Sequence, residues 1–495
     1  MPFGLLIRGH NSIFPNKSTQ IVGCLLFLYR YNWKQLKKEY KKMTTKKANL
    51  VFTTLLTGAI VTSLLQTSLT TALPKIMQEL SLTALKAQWL TSAFSLAMAI
   101  MVPISAYLIK RYTTRQIFIS SMILFSFGSL LSWYGSNFTV LLLGRIFQAL
   151  GSGIVLPLTQ VVIMTLYPTE KQGTAMGILG LASGAAPVIA PTLTGIVIDS
   201  WGWRSIFLIT GIISLVIVIF ATFSVKNVSP VNKIQLDYVS LLLCIGGLTG
   251  ILVGLSSIST NLYESIILLV IGIILIFIFS RRQISSDLPF LNLKILKNSK
   301  FRMAVIISML LYAVMMGSST IYPILIQTVM KKSAVMSALI MLPGSLAMAL
   351  INPLTGMFYD RFGINKLAIS GSLLIMISCF GITFINSTRD VFLLGILYLL
   401  RLLGVGCLMM PIVTWGMQSL PEEEMANGTA IITALRTLSG ALGTAVFMEV
   451  MTSASHFYNA NSTANYYGVK FTFKIMTLLA LIQLIISIIG LRKKQ

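Results

Sequence analysis

Acidic side chains are scarce in this sequence: thirteen Asp and Glu stand against 38 Lys and Arg in 495 residues. Histidine is rarer still, His10 and His456 alone, too few for a metal cluster or a proton relay. The four cysteines, Cys24, Cys244, Cys379 and Cys407, lie scattered in apolar context without C-x-x-C spacing. That excludes a thiolate metal site and a disulfide framework. No G-x-x-x-x-G-K-[ST] loop occurs, so nothing here hydrolyses ATP through a P-loop. Uphill work by this chain must draw on a gradient or a partner. No metal, no cofactor and no enzyme activity are expected.

Charge of either sign is also sparse, at 10% of residues, against roughly 25% in soluble domains. In its place 55% of the chain is hydrophobic, gathered in runs near the ~20 residues that a spanning helix needs. Fourteen such runs can be placed. They centre on 49–70, 87–109, 115–135, 138–163, 173–197, 204–224, 237–256, 262–280, 303–326, 334–355, 367–385, 390–413, 428–450 and 472–491. The fold class is therefore an all-α polytopic membrane protein.

The net charge of +25 is compatible with nucleic-acid binding until the charges are located. Fourteen spans put both termini on one side, and most of the Lys and Arg fall there, notably in SRRQISSDLPFLNLKILKNSKFR and the amino-terminal tail. By the positive-inside rule that side is cytoplasmic. The basic surface then faces anionic lipid, and no nucleic acid is expected. Residues 1–47 read as a basic cytoplasmic tail. Its nine-residue apolar patch IVGCLLFLY is too short to span a bilayer, and Met43 offers an alternative start.

The chain repeats itself. PISAYLIKRYTTRQ from Pro103 is echoed by PLTGMFYDRFGINK from Pro353, 250 positions on. LGSGIVLPL at Leu150 is echoed by LGVGCLMMPI at Leu403, and QGTAMG at Gln172 by NGTAII at Asn427. The two basic loops stand eight spans apart, so the chain divides as six helices (48–225), two inserted helices with a linker (226–302), and six more (303–495). Parallel halves of this kind place a substrate site between them near the midplane. The inserted runs, such as LLVIGIILIFIFS, are apolar on nearly all faces and read as lipid-facing.

These elements together resemble the fourteen-span drug:proton antiporter branch of the major facilitator superfamily (MFS), over residues 48–491. LTTALPKIM resembles the branch's span-1 element, ISAYLIKRYTTR the loop 2–3 motif, and LLGRIFQALGSG the span-4 arginine motif. SGAAPVIAPTLTGIVIDSWGWRSIF resembles the span-5 antiporter motif, and ALRTLSGALGTAVF the span-13 signature. The resemblance implies an MFS fold with 14 transmembrane helices arranged 6+2+6. It also implies proton-coupled efflux of amphipathic drugs by alternating access, in a bacterial plasma membrane, by a monomer. Departures are specific. The branch's span-1 acid falls on Leu65, the loop 2–3 glycine on Ala106 and its acid on Lys110, whereas the second copy keeps Gly356 and Asp360.

Candidate residues follow. Arg145 sits within an apolar run and must face the bundle interior, water or carbonyls, since an arginine at membrane depth costs at least ~2.5–3.5 kcal/mol. The resemblance implies a role for it in proton coupling. Gln148 shares its helix face. Glu449 is the one plausible intramembrane carboxyl and the candidate proton carrier. Gln66, Thr67, Thr70 and Gln148 are candidates for the substrate cavity. So is Arg436, which could attract anionic or zwitterionic substrates. Lys110, Arg111, Arg115, Gly356, Asp360 and Arg361 are candidates for a cytoplasmic gate. Gly184, Pro187, Pro191 and Gly195 belong to the antiporter motif, where small residues allow close helix approach. Two other readings stay open: a dedicated transporter of a metabolite, lipid or peptide, and a non-transporting sensor on the same fold.

Overall fold

The computed structural model describes residues 45–228, 237–256, 261–286, 289–385, 390–457 and 464–492. The amino-terminal tail, with His10, Cys24 and Met43, lies outside the described residues. Fourteen long α-helices follow one another, and no strand occurs among the described residues. They are α1 (Thr45–Glu79), α2 (Ala84–Arg111), α3 (Thr114–Tyr134), α4 (Phe138–Leu166), α5 (Thr169–Trp201), α6 (Arg204–Ser224) and α7 (Tyr238–Ser256). Then come α8 (Leu262–Ser285), α9 (Ser299–Ile324), α10 (Ala334–Phe362), α11 (Ile364–Ile382), α12 (Val391–Gln418), α13 (Met425–Phe457) and α14 (Ala464–Arg492). Among the described residues, thirteen helices are long and apolar enough to cross a membrane; α5 is not counted with them.

Local chemistry explains where the helices start. Thr83, Asn137, Asn298 and Ser333 each accept a backbone N–H of the first turn of α2, α4, α9 and α10. Thr113 and Gln116 form a reciprocal capping box at α3, satisfying two otherwise orphaned donors. Six interior prolines recur with the sequence repeat, Pro74 and Pro323 in α1 and α9, Pro103 and Pro353 in α2 and α10, Pro157 and Pro411 in α4 and α12, whereas Pro343 of α10 has no counterpart in α2. Proline removes a helix hydrogen bond and bends the helix. The same bends are thus built at matching places in both halves.

Packing repeats as well. Helix α1 packs on α4, α5 and α6, α2 on α4, and α3 on α4 and α6; α9 packs on α12, α13 and α14, α10 on α12, and α11 on α12 and α14. Each contact in one group has its counterpart eight helices later. Between the groups, α5 packs along α10, its counterpart α13 along α2, and α12 and α13 reach α5 and α4. Helices α7 and α8 pair with each other. Most apolar side chains of α8 are exposed, among them Ile266, Ile273 and Phe277, as expected for a lipid-facing helix. Helix α7, however, also packs on α2 and α13, so the pair sits against the seam between the groups. Nor is its inner face purely apolar: buried Gln283 donates to Ser240 Oγ and accepts from the Leu291 N–H. Asp237 binds Arg282 at 2.9 Å and pins the start of α7 to the end of α8. The Arg282 hydrogen bond holds its carboxyl well below the usual range.

Candidate functional site

Arg145 lies inside the first group of helices and is 1% exposed. Its Nε donates to the Leu90 carbonyl of α2 at 3.3 Å, and its Nη1 to Gln148 Oε1 at 2.7 Å. The guanidinium also lies over the Phe94 ring, 4.1 Å from the centroid. Gln148, fully buried one turn on, donates to Ser132 Oγ of α3. Arg145 therefore clamps α4 to α2 directly and to α3 through Gln148. Leu65, at the position of the branch's span-1 acid, is wholly buried.

The repeat transposes this arrangement. Aligning Leu150 with Leu403 places Tyr398 opposite Arg145 and Arg401 opposite Gln148. Arg401 is as buried as Arg145 and lies over two tyrosine rings, Tyr322 at 4.7 Å and Tyr398 at 4.9 Å, while its three nitrogens have no hydrogen-bond partner. Arg436, 3% exposed on α13, lies over the Tyr312 ring at 4.7 Å, and its Nε and Nη1 are likewise unpartnered. No Asp or Glu is among the described buried residues.

The other expected residues are dispersed. Gln66 and Thr70 are exposed on α1, and Thr67 is half-buried with its hydroxyl turned back onto the Ser63 and Leu64 carbonyls. Glu449 is exposed and accepts from Ser453 at 3.2 Å; neither of Arg145's hydrogen bonds goes to it. Asp199 pairs with Lys75 at 2.8 Å.

The seam between α5 and α10 brings together what the sequence set far apart. Asp360 accepts from the Gly173 and Thr174 N–H groups at 2.8 and 2.7 Å and from the Thr174 hydroxyl at 2.6 Å. Gly173 and Thr174 lie in the second turn of α5, at the end of the helix where the dipole favours a negative charge. Gly356 makes this approach possible: a Cβ there would lie 2.2 Å from the Gly173 carbonyl oxygen. The glycine stripe of α5 continues the contact, Gly177 meeting Asn352 and Pro353, Gly180 Asn352 and Met410, and Gly184 Asn352 and Met348. Gly195 is different: a Cβ there would meet nothing, so close packing does not explain it. The side chains of Pro187 and Pro191 lie outside the described residues. Gln418 completes the latch, donating to Gln172 Oε1 at 2.9 Å and accepting from the Tyr359 hydroxyl at 2.6 Å.

The matching seam, α2 against α13, carries inverted charge. Lys110, in the place of Asp360, lies within electrostatic reach of Glu424, immediately before α13. Glu424 also accepts from Asn427 and, at 2.7 Å, from Asn292 of the segment joining α8 to α9. Arg111 lies over the neighbouring Tyr112 ring, Arg361 lies over Phe362, and Arg115 is exposed. Glu424 and Asn352 are residues of the two seams that sequence reasoning missed. The echo of Gln172 in Asn427 pointed to the first, and the Asn-Pro before the second basic loop pointed to the other.

Comparisons with known proteins agree with this architecture. The family model described as Major Facilitator Superfamily matches residues 55–444. The "Uncharacterized MFS-type transporter YcnB" of Bacillus subtilis (strain 168) is 36% identical over 438 residues, 88% of this chain and 93% of its own. "Lincomycin resistance protein LmrB" of the same organism is 32% identical over 82% of this chain and 86% of its own. Among solved structures, the "human organic anion transporter MFSD10 (TETRAN)" shares the fold with a TM-score of 0.66 at 13% identity, over 90% of this chain and all of that one. With helices, repeat and motifs in agreement, this chain belongs to the major facilitator superfamily.

Proposed function

We propose that this chain is a proton-coupled exporter of amphipathic small molecules. It works by alternating access between two six-helix groups, with α7 and α8 as an inserted pair and both termini in the cytoplasm. The observation that carries this reading is the α5–α10 seam. There Asp360 bridges the groups near the start of α5, while at the α2–α13 seam Lys110 lies within electrostatic reach of Glu424. Polar contacts of this kind are strong yet separable, which suits a joint that must close and open. The repeated packing supports the 6+2+6 division, and the relatedness to a lincomycin resistance protein supports export of drugs.

In this reading the structure is closed at its basic, cytoplasmic end. Gln66, Thr67 and Thr70 line the passage and bind substrate through neutral hydrogen bonds. Glu449 carries the proton, and Arg145 and Gln148 hold α2, α3 and α4 in the geometry that couples proton release to substrate entry. Lys110, Arg111, Arg115, Gly356, Asp360 and Arg361 form the gate, with anionic lipid around it. The antiporter motif on α5, Gly184 to Gly195 with its two prolines, is the surface over which the groups move.

The test is made in everted membrane vesicles holding an imposed pH gradient. Adding a transported drug should dissipate the gradient, and expression in a pump-deficient host should raise resistance to several unrelated drugs. Glu449→Gln should abolish the dissipation while leaving the protein folded. Resistance to a single compound, with no proton movement, would instead identify a dedicated transporter.

A further inference from the structure

Three arginines lie buried in the helical bundle, and the ways they are satisfied differ sharply. Arg145 has two hydrogen bonds and a ring. Arg436 has the Tyr312 ring, and its Nε and Nη1 have no partner. A buried guanidinium whose donors go unanswered is destabilising, and a cation–π contact offsets only part of that. Its neighbours share the condition. Thr433, one turn earlier on α13, leaves its hydroxyl unpartnered, although a helical threonine ordinarily bonds back to the preceding turn, as Thr437 does to Thr433. Gln160 of α4 leaves both amide atoms unpartnered. It lies two turns past Gly153, whose added Cβ would meet Met98 and Met101 of α2, so Gln160 shares the α2-facing side.

These groups lie within about three turns of the basic ends of their helices. Gln160 is six residues from the basic end of α4, and Thr433 and Arg436 are eight and eleven residues from that end of α13. Helix α13 contacts both α2 and α4 across the division between the groups. Arg401 lies over two rings, Tyr322 and Tyr398, where Arg436 has one.

From the unanswered donors of Arg436 and the absence of any acid among the described buried residues, we infer that the translocated substrate is an amphipathic organic anion, whose carboxylate is read by Arg436 beside the Tyr312 ring of α9. This inference rests on the exporter reading and names its substrate class. Nε–H and Nη1–H point to different edges of the planar guanidinium, and the carboxylate accepts a charge-assisted hydrogen bond from one of them. The Thr433 hydroxyl, one turn away on α13, supplies a further polar contact, and the Tyr312 ring backs the guanidinium. A permanent cation brought to the same place meets a fixed positive charge without a counter-ion.

Three probes with one fluorophore test this: dansyl-glycine, its neutral methyl ester, and the cationic dansyl-cadaverine. The full chain is reconstituted in proteoliposomes, transport of each probe is followed, and polarisation measures binding in detergent. The wild type should favour dansyl-glycine over dansyl-cadaverine by at least tenfold. Arg436→Gln should weaken dansyl-glycine binding about tenfold or more while leaving the ester within twofold, and Arg436→Lys should restore part of the loss. Transport of the ester or the cation in preference to the carboxylate overturns the inference and leaves the exporter reading standing. Transport of none of the probes, nor of any compound in a drug panel, overturns the exporter reading as well. Should Arg436→Gln fail to purify as a single gel-filtration species, the wild-type order of the three probes still decides.

Discussion

At the scale of the residue, the burial of Arg145 answers how an arginine survives in an apolar run: it is fixed by a carbonyl, an amide and a ring. Charged hydrogen bonds are worth ~1.5–3 kcal/mol and a desolvated cation–π contact about 2. Replacing Arg145 by Leu should therefore destabilise the fold by roughly 2–4 kcal/mol, since Gln148 Oε1 loses its donor as well. Thermal unfolding in detergent measures this, and unchanged stability would refute the clamp. A milder effect is expected at Asp237. Its carboxyl is held below the usual range by Arg282, so the charged form is favoured in the fold. The stability it contributes is present above the unfolded carboxyl value near ~3.9 and is lost as pH falls through the lower folded value. Infrared titration of the carboxylate should thus show Asp237 still ionised at pH 3.5, with the difference abolished by Arg282→Gln.

At the scale of the element, the helices were largely legible and their partners were not. Fourteen apolar runs, two basic loops and three repeated motifs fix where the helices lie and how the halves correspond. The helices extend beyond the runs, as α1 does to Glu79, because polar and capped ends add turns that hydropathy does not register. Gly184 of the antiporter motif announced close packing, yet only the fold reveals that it and Gly173, Gly177 and Gly180 meet α10 of the other group. The Lys110–Glu424 pair escaped sequence reasoning for the same reason: a charge exchanged between sequence-distant helices leaves each residue looking ordinary. The pair has a direct test. Lys110→Glu should repel Glu424 and open that seam, and combining it with Glu424→Lys should restore transport to near wild type. Gly356→Ala should be worse than either single change, because its Cβ would meet the Gly173 carbonyl at 2.2 Å and no side chain is there to move aside. Cysteine accessibility at the basic end reads both.

At the scale of the whole molecule, the repeat supplies two similar groups, and the seams between them decide which end is closed. Asp360 binding two backbone N–H groups of α5 contributes a few kcal/mol at most, enough to bias an equilibrium between conformations without freezing it. Gln66, Thr70 and Glu449 lie on exposed helix faces, and under the proposed exporter mechanism they meet substrate or proton when the groups part. Inter-group motion is thus the claim on which everything else turns. The direct measurement is a pulsed electron-resonance distance between spin labels at Lys171 of α5 and Arg361 of α10, both exposed at the basic end. Two populations are predicted, the shorter dominant in the wild type and the longer favoured by Asp360→Asn. A single distance, unmoved by that substitution or by substrate, would contradict the account.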